Sequence, residues 1–299
     1  MNRPESPLLH RLLNRPCDSH KYDFGRVLVI GGSQPMAGAP VLAGQAALRS
    51  GAGVVELCVP DCVAAVAAGF DPCLITHGLP SDPSGCFSQD GTQAIRVLAS
   101  RADVIVLGPG IGRATELAAV VRGLWRELPQ AMVVDADALH ALSGLDTATL
   151  AEHAGALILT PHAGEMSRLL GMKSGSKPDR AALEQSAADF ARELGAVVVL
   201  KGPSTLITDG VQSMHNASGN PGLATAGTGD VLSGIIAALL AQNLPPAEAA
   251  RLGVWVHGLA GDAAAEALGE LALTANDVIE RLPGVWKRLQ RESTPGFTA

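Results

Sequence analysis

Asp230 closes the run Asn220-Pro221-Gly222-Leu223-Ala224-Thr225-Ala226-Gly227-Thr228-Gly229-Asp230, and no charge follows from Val231 through Leu240. The small, turn-forming residues before the acid let the backbone approach another molecule closely. The apolar run after it is long enough for about three turns of buried helix. A Gly-Thr-Gly-Asp opening onto such a helix presents unpaired N–H groups and the positive end of the helix dipole. Ala226, Gly227, Thr228 and Gly229 are therefore a candidate anion hole, and phosphate is the commonest occupant of such a place. A carboxylate there can be a simple cap, but inside a phosphate cradle it opposes the ligand. A base aimed at a hydroxyl that is about to meet the phosphate accounts for it better.

Other groups could serve the same chemistry, each with a plainer role open to it. Lys201-Gly202-Pro203-Ser204-Thr205 follows an apolar run; the lysine can meet a phosphate as a point charge, or stand in solvent at a strand end. His162 in Thr160-Pro161-His162-Ala163-Gly164-Glu165 can touch a ligand or mark a helix entry. Asp135 and Asp137 can hold a metal or cap the next helix. Gly31-Gly32-Ser33 and Gly108-Pro109-Gly110-Ile111-Gly112 stand out of register for a dinucleotide fingerprint. His215 and His257 read as structural or solvated. No nucleophile elbow and no His-Glu-x-x-His occurs, which removes the serine-hydrolase and zinc-protease classes.

The 299 residues are 47% hydrophobic and 17% charged, ample for a large core, and aromatics are only 3%. A formal net charge of −7 argues against nucleic acid or a membrane surface as the main partner, yet leaves room for a small anionic ligand. The five cysteines form no paired Cys-x-x-Cys, so reduced thiols of a cytoplasmic protein are expected. The N-terminus lacks an apolar signal core.

The elements that must carry these groups alternate. Strands are expected at 26–30, 54–59, 73–76, 103–107, 131–134, 156–159 and 196–200, with helices at 39–49, 61–68, 89–99, 116–128 and 180–194. A short surface helix is expected within 8–13, a hairpin from 205–207 and 211–215 across Thr208-Asp209-Gly210, and late helices at 246–267 and 275–290 with a polar tail. The pattern predicts one α/β domain over 1–299, with a central, mainly parallel sheet and helices on both faces. Every unusual polar or glycine-rich stretch falls at a strand's carboxyl end, where such sheets bind ligands.

The stretch from Asn216 to Gly234 resembles the signature of the ADP/ATP-dependent NAD(P)H-hydrate dehydratases, repair enzymes of the ribokinase-like superfamily. Gly25–Ser33, Gly38-Ala39-Pro40, Leu48–Gly53, Gly108–Gly112, Asp135–Leu139 and Leu159–Glu165 agree in order, so the resemblance covers about 20–285. Ala226 stands where a glycine is expected, and Gln34-Pro35-Met36 where an aromatic is frequent. The resemblance implies a ribokinase-like fold of eight to ten strands, assembled as a homo-oligomer (a tetramer). It implies dehydration of the S-epimer of NADH or NADPH hydrate with ADP as phosphoryl donor and Mg²⁺, the epimerisation coming from a separate epimerase. Carried over, the nucleotide meets Lys201, Gly202, Pro203, Ser204, Thr205 and Gly229. The hydrate meets Ala39, Gly110, Gly112, His162 and Asp230, with Asp230 as the base. A vitamin-precursor kinase of the same superfamily and a non-catalytic nucleotide sensor are the rival readings.

Overall fold

The computed structural model describes residues 12–172 and 179–293. Its sheet runs in the order β3-β2-β1-β4-β5-β6-β7-β8-β9. The strands are β1 (Arg26–Ile30), β2 (Val54–Pro60), β3 (Ile75–Leu79), β4 (Val104–Leu107), β5 (Ala131–Val134), β6 (Leu157–Leu159), β7 (Val197–Leu200), β8 (Leu206–Thr208) and β9 (Ser213–His215). Pairing is parallel from β3 through β7, and the last two strands add an antiparallel edge. The inner strands are continuous apolar runs because both faces are covered. Val27 and Val29 face a core shared with α1 (Gly38–Arg49), α2 (Asp61–Ala68), α9 (Thr228–Ala241), α10 (Pro246–Leu268) and α11 (Ala275–Ser293). Leu28 and Ile30 face the other core, with α3 (Thr92–Ala99), α4 (Thr115–Glu127), α5 (Ala136–Leu142), α7 (Ala163–Leu169) and α8 (Arg180–Leu194). A single turn, α6 (Thr147–Leu150), links α5 to β6.

Strand order reverses beside β1, which pairs with β2 on one side and β4 on the other. A crevice opens beyond the carboxyl ends at such a point. Here the two glycine loops interlock: the Gly32 N–H donates to the Pro109 carbonyl (2.8 Å) and the Ser33 hydroxyl to that of Gly110 (2.8 Å). A Cβ on Gly31 would lie 2.3 Å from the Pro109 oxygen. These glycines serve close packing of two loops, which accounts for their failure to match a dinucleotide fingerprint.

α9 is the central helix. Every residue from Val231 to Ala241 is buried, and each large aliphatic among them contributes about 1.5–3 kcal/mol by leaving water. It crosses α1 so closely that a Cβ on Gly234 would sit 2.0 Å from the Ala43 carbonyl oxygen. Gly234→Ala is accordingly expected to destabilise the fold by about 2–3 kcal/mol through overpacking. Equilibrium denaturation should show a lower midpoint with an unchanged slope.

Several expected elements differ in their bounds. The edge strand is Ile75–Leu79 rather than 73–76, because the Asp71 carboxylate accepts the Cys73 N–H (2.8 Å) and turns the chain there. Helix 89–99 is a 3₁₀ turn, Gln89–Gly91, followed by α3. β8 begins one residue late and β9 two, since the Asp209 carboxylate holds the N–H groups of Val211 and Gln212 in the turn. Of the helix expected within 8–13, Leu12 and Leu13 are helical and the rest lies outside the described residues, as does the tail beyond Ser293. All five cysteines are free. Among the described residues no helix is long and apolar enough to cross a membrane.

Candidate active site

The carboxyl ends of β5, β6 and β7 bring two acids and a lysine, Asp135, Glu165 and Lys201, against the first turn of α9. Gly227 precedes that turn with φ +91°, a conformation that suits glycine. The first intrahelical bond runs from the Val231 N–H to the Gly227 carbonyl (3.1 Å). The N–H groups of Thr228, Gly229 and Asp230 therefore precede the helical ladder and point out of its positive end. The Thr228 hydroxyl lies 2.8 Å from the Leu223 carbonyl and 2.9 Å from that of Thr225, so its proton closes the loop instead of facing a ligand.

The loop itself is fastened from α10. The Ser218 hydroxyl donates to the Trp255 carbonyl (2.9 Å), and the Asp262 carboxylate accepts the Gly219 N–H and the Asn220 amide (3.0 Å each). A Cβ on Gly258 would strike Ser218, and one on Gly261 would strike Leu223. His257, also on α10, lies buried against the Thr228 backbone, and burial pushes it down to about 4, so it stays neutral.

Asp135 caps α5 through the Ala136 N–H (2.8 Å) and is only 1% exposed. Its Oδ1 accepts the Lys201 ammonium at 2.7 Å, and its Oδ2 accepts the Ser233 hydroxyl at 2.6 Å. Lys201 lies 3.9 Å from Glu165 as well. It is thus a paired charge beneath α9, not a solvated strand-end lysine. Burial works against its charge, but Asp135, Glu165 and Asp230 outweigh that and hold the ammonium above its usual range. Asp137 accepts Arg113 Nε (2.6 Å) and the Gly112 N–H (3.2 Å), which ties the β4 loop to the same cluster.

Asp230 responds to all of this. Burial pushes its carboxyl up to about 8, and Asp135, Asp137 and Glu165 add to the rise while Lys201 opposes it. A carboxyl shifted so far from 3.8 beside the unpaired N–H groups of a helix start is suited to take a proton near neutral pH.

His162 proves to be a helix entry whose side chain is about half exposed. Its Nδ1 accepts the N–H groups of Gly164 (3.0 Å) and Glu165 (3.3 Å), while the Glu165 carboxylate accepts the His162 N–H (2.9 Å): a reciprocal cap of α7. With Nδ1 accepting, the neutral ring carries its proton on Nε2, which lies 3.3 Å from Glu165 and is half-exposed. Burial, then the charges of Lys201 and Arg168, hold His162 below its ordinary value. The Lys201 N–H donates to the Pro161 carbonyl (2.8 Å), so the His162 and Lys201 loops run side by side.

Ala39, in the first turn of α1, meets Gly110: a Cβ on Gly110 would lie 2.9 Å from that of Ala39. Gly202, Pro203 and Ser204 form an exposed loop with half-buried Thr205. Arg180 clamps its carbonyl side, reaching Lys201 (3.3 Å), Leu200 (3.2 Å) and Ser204 (3.1 Å). The structure thus gathers Asp230, Gly229, Lys201 and His162 into one cluster, joins Gly112 to it through Asp137, and sets Ala39 with Gly110 at the switch point. Sequence reasoning missed Ser233, Asp262, Arg180 and Arg113 as supports. Their partners lie 98, 42, 20 to 24 and 24 residues away, and only the fold brings them together. Asp135 and Asp137 turn out to be a cap and an arginine partner. Among the described residues no three His, Cys, Asp or Glu side chains converge on a metal position. A cavity of about 510 Å³ bounded by Gly144, Asp146, Leu170 and Phe190 contains none of the site residues.

The model of the NAD(P)H-hydrate dehydratase family matches residues 27–284. A bifunctional NAD(P)H-hydrate repair enzyme of Moorella thermoacetica is 44% identical over 94% of this chain, which spans about half (53%) of that relative's length. An ADP-dependent (S)-NAD(P)H-hydrate dehydratase of Neisseria meningitidis is 41% identical over 87% of this chain and 84% of its own. The crystal structure of an ADP/ATP-dependent NAD(P)H-hydrate dehydratase from Bacillus subtilis, co-crystallised with ATP and Mg²⁺, superposes with a TM-score of 0.77 at 28% identity. That match covers 94% of this chain and 96% of the other.

Proposed function

The chain belongs to the NAD(P)H-hydrate dehydratase family, and on that premise we propose that it dehydrates the S-epimer of NAD(P)H hydrate with ADP as phosphoryl donor. Its fold is ribokinase-like, and residues 1–299 act as one such domain. The observation that carries the proposal is Asp230: a half-buried carboxyl pushed up to about 8 at the N-terminus of a buried helix.

Asp230 takes the proton from the ring hydroxyl, and that oxygen attacks the terminal phosphorus of ADP as the bond to the AMP oxygen breaks. The N–H groups from Ala226 to Gly229 and the helix dipole stabilise the charge on the transferring phosphoryl group. The phosphorylated hydroxyl then leaves as phosphate, carrying its bonding pair, and loss of a proton from the adjacent ring carbon restores the dihydronicotinamide. Gly202, Pro203, Ser204, Thr205 and Gly229 hold the nucleotide, with the charge of Lys201 beside them. Ala39, Gly110, Gly112 and His162 hold the hydrate. The site's work is chiefly positioning and electrostatics.

Magnesium fits this donor set in one way. Asp135, Asp137 and Glu165 all raise Asp230, so carboxylates outnumber the opposing Lys201 in its field, and hard oxygen donors suit the ion. Because no three described side chains converge, phosphate oxygens and water would be its main ligands. When bound, it would offset charge on the phosphates. A tetramer in the cytoplasm, fed with S-hydrate by an NAD(P)H-hydrate epimerase activity, completes the proposal.

His162→Asn separates the ring from the cap. Asparagine is itself a favoured cap, so stability is expected to move by less than about 1 kcal/mol. The Michaelis constant for the hydrate should rise about tenfold with kcat nearly kept, the sign of lost uniform binding. Steady-state kinetics at varied hydrate concentration check this, and an unchanged KM would remove His162 from the substrate site. The proposal as a whole is tested by ADP-dependent formation of NADH from the hydrate.

A further inference from the structure

We propose that Asp135 is a positioning residue: with Ser233 it locks the Lys201 ammonium beneath the first turn of α9, making the lysine a stationary charge for the anion hole instead of a reaching phosphate ligand. This rests on the dehydratase reading above. A lysine meant to grip a ligand keeps its amine free at the end of a flexible stem. The Lys201 amine is instead 2.7 Å from Asp135 and 3.9 Å from Glu165.

Asp135 cannot follow if the lysine moves. Its Oδ1 also accepts the Ala136 N–H and its Oδ2 the Ser233 hydroxyl, and it is almost wholly buried. Departure of the ammonium would leave a desolvated carboxylate without a counter-charge, which is strongly unfavourable. Ser233 stands one turn along α9 from Gly229 and lies 3.1 Å from the Gly229 carbonyl. A Cβ on Gly229 would come 3.3 Å from the Lys201 amine and 3.7 Å from Asp135 Oδ2. The ion pair therefore lies against the backbone of the very residue whose N–H faces the phosphoryl group. The end of β5, the end of β7 and α9 meet at this pair, and it sets where the positive charge stands relative to Asp230.

Asp135→Asn tests the inference, because the amide oxygen in the Oδ1 position can still accept from Ala136 while the amide NH2 donates to a Ser233 hydroxyl whose own proton goes to the Gly229 carbonyl. Without the carboxylate the ammonium is free to turn toward Asp230 or Glu165. The result expected is a fall in kcat of about 100-fold, the scale of a misplaced catalytic group, with KM for ADP within about threefold of the wild type. The double variant Asp135→Asn/Lys201→Met should be no worse than the poorer single variant, since Asp135 acts through the lysine. A tenfold or larger rise in KM for ADP with kcat kept would overturn the inference, as would multiplicative losses in the double variant or a kcat within twofold of wild type. Should Asp135→Asn not fold, Ser233→Ala is expected to lower kcat about tenfold at unchanged KM, and a wild-type kcat there overturns it equally. Absence of ADP-dependent turnover in the wild type removes the reaction itself and this inference with it; normal turnover of the variants in an active enzyme removes this inference alone.

Discussion

Asp230→Asn is expected to lower kcat by about 10²–10⁴-fold, the range spanned by a positioned base, while ADP still binds. The amide is nearly the same size as the carboxylate and leaves the N–H groups of the α9 first turn in place, but it cannot accept the hydroxyl proton. ADP should therefore still raise the melting temperature of the variant, as any ligand that binds only the folded state does. Turnover followed at the dihydronicotinamide absorption band checks the first part, and ligand-dependent thermal melting the second. A variant that turned over at the wild-type rate would end the assignment of Asp230 as the base. The same substitution changes stability in a defined direction. Folded Asp230 keeps its proton to about 8, whereas the unfolded chain releases it near 3.8. Between these values the native state binds the extra proton, so the wild type loses stability as pH rises through the window. The asparagine variant escapes that loss, and its margin over the wild type should widen as pH rises to about 8 and level off above it.

The second large effect is in the pH profile. With Asp230 as the proposed base, the reaction needs its ionised form, and kcat/KM is expected to rise with pH and to level off above about 8, the value to which Asp230 is pushed in the free protein. Burial comes first among the causes, and Asp135, Asp137 and Glu165 raise it further while Lys201 pulls it down. A profile flat from pH 6 to 9, or one falling only near the ordinary range of a carboxylate, would contradict this environment for the base.

How much of this was legible in the sequence depends on how local each signal was. The place of Asp230 in the first turn of a buried helix could be read directly, because a glycine-rich approach and an apolar helix are consecutive in the chain and their geometry follows from backbone rules. The inner strands were legible for the same reason, since burial on both faces leaves unbroken apolar runs. The edge strand β3 was not. Its residues are mostly part-exposed, and His77 makes a 2.6 Å contact with Glu56 on β2 instead of entering the core. Nothing local marked Ser233 as the partner of Asp135, which lies 98 residues earlier. Lys201 could be seen at a strand end, but its confinement came only from the neighbouring strand ends. His162 carried two readings in the sequence, and the structure satisfies the capping one through Nδ1 while leaving Nε2 half-exposed.

The most direct measurement of the central claim mixes the protein with Mg²⁺, ADP and acid-generated NADH hydrate and follows the dihydronicotinamide band. A rise in absorbance that requires both ADP and protein, and that Asp230→Asn abolishes, is the result this account predicts. No rise with either ADP or ATP would contradict it.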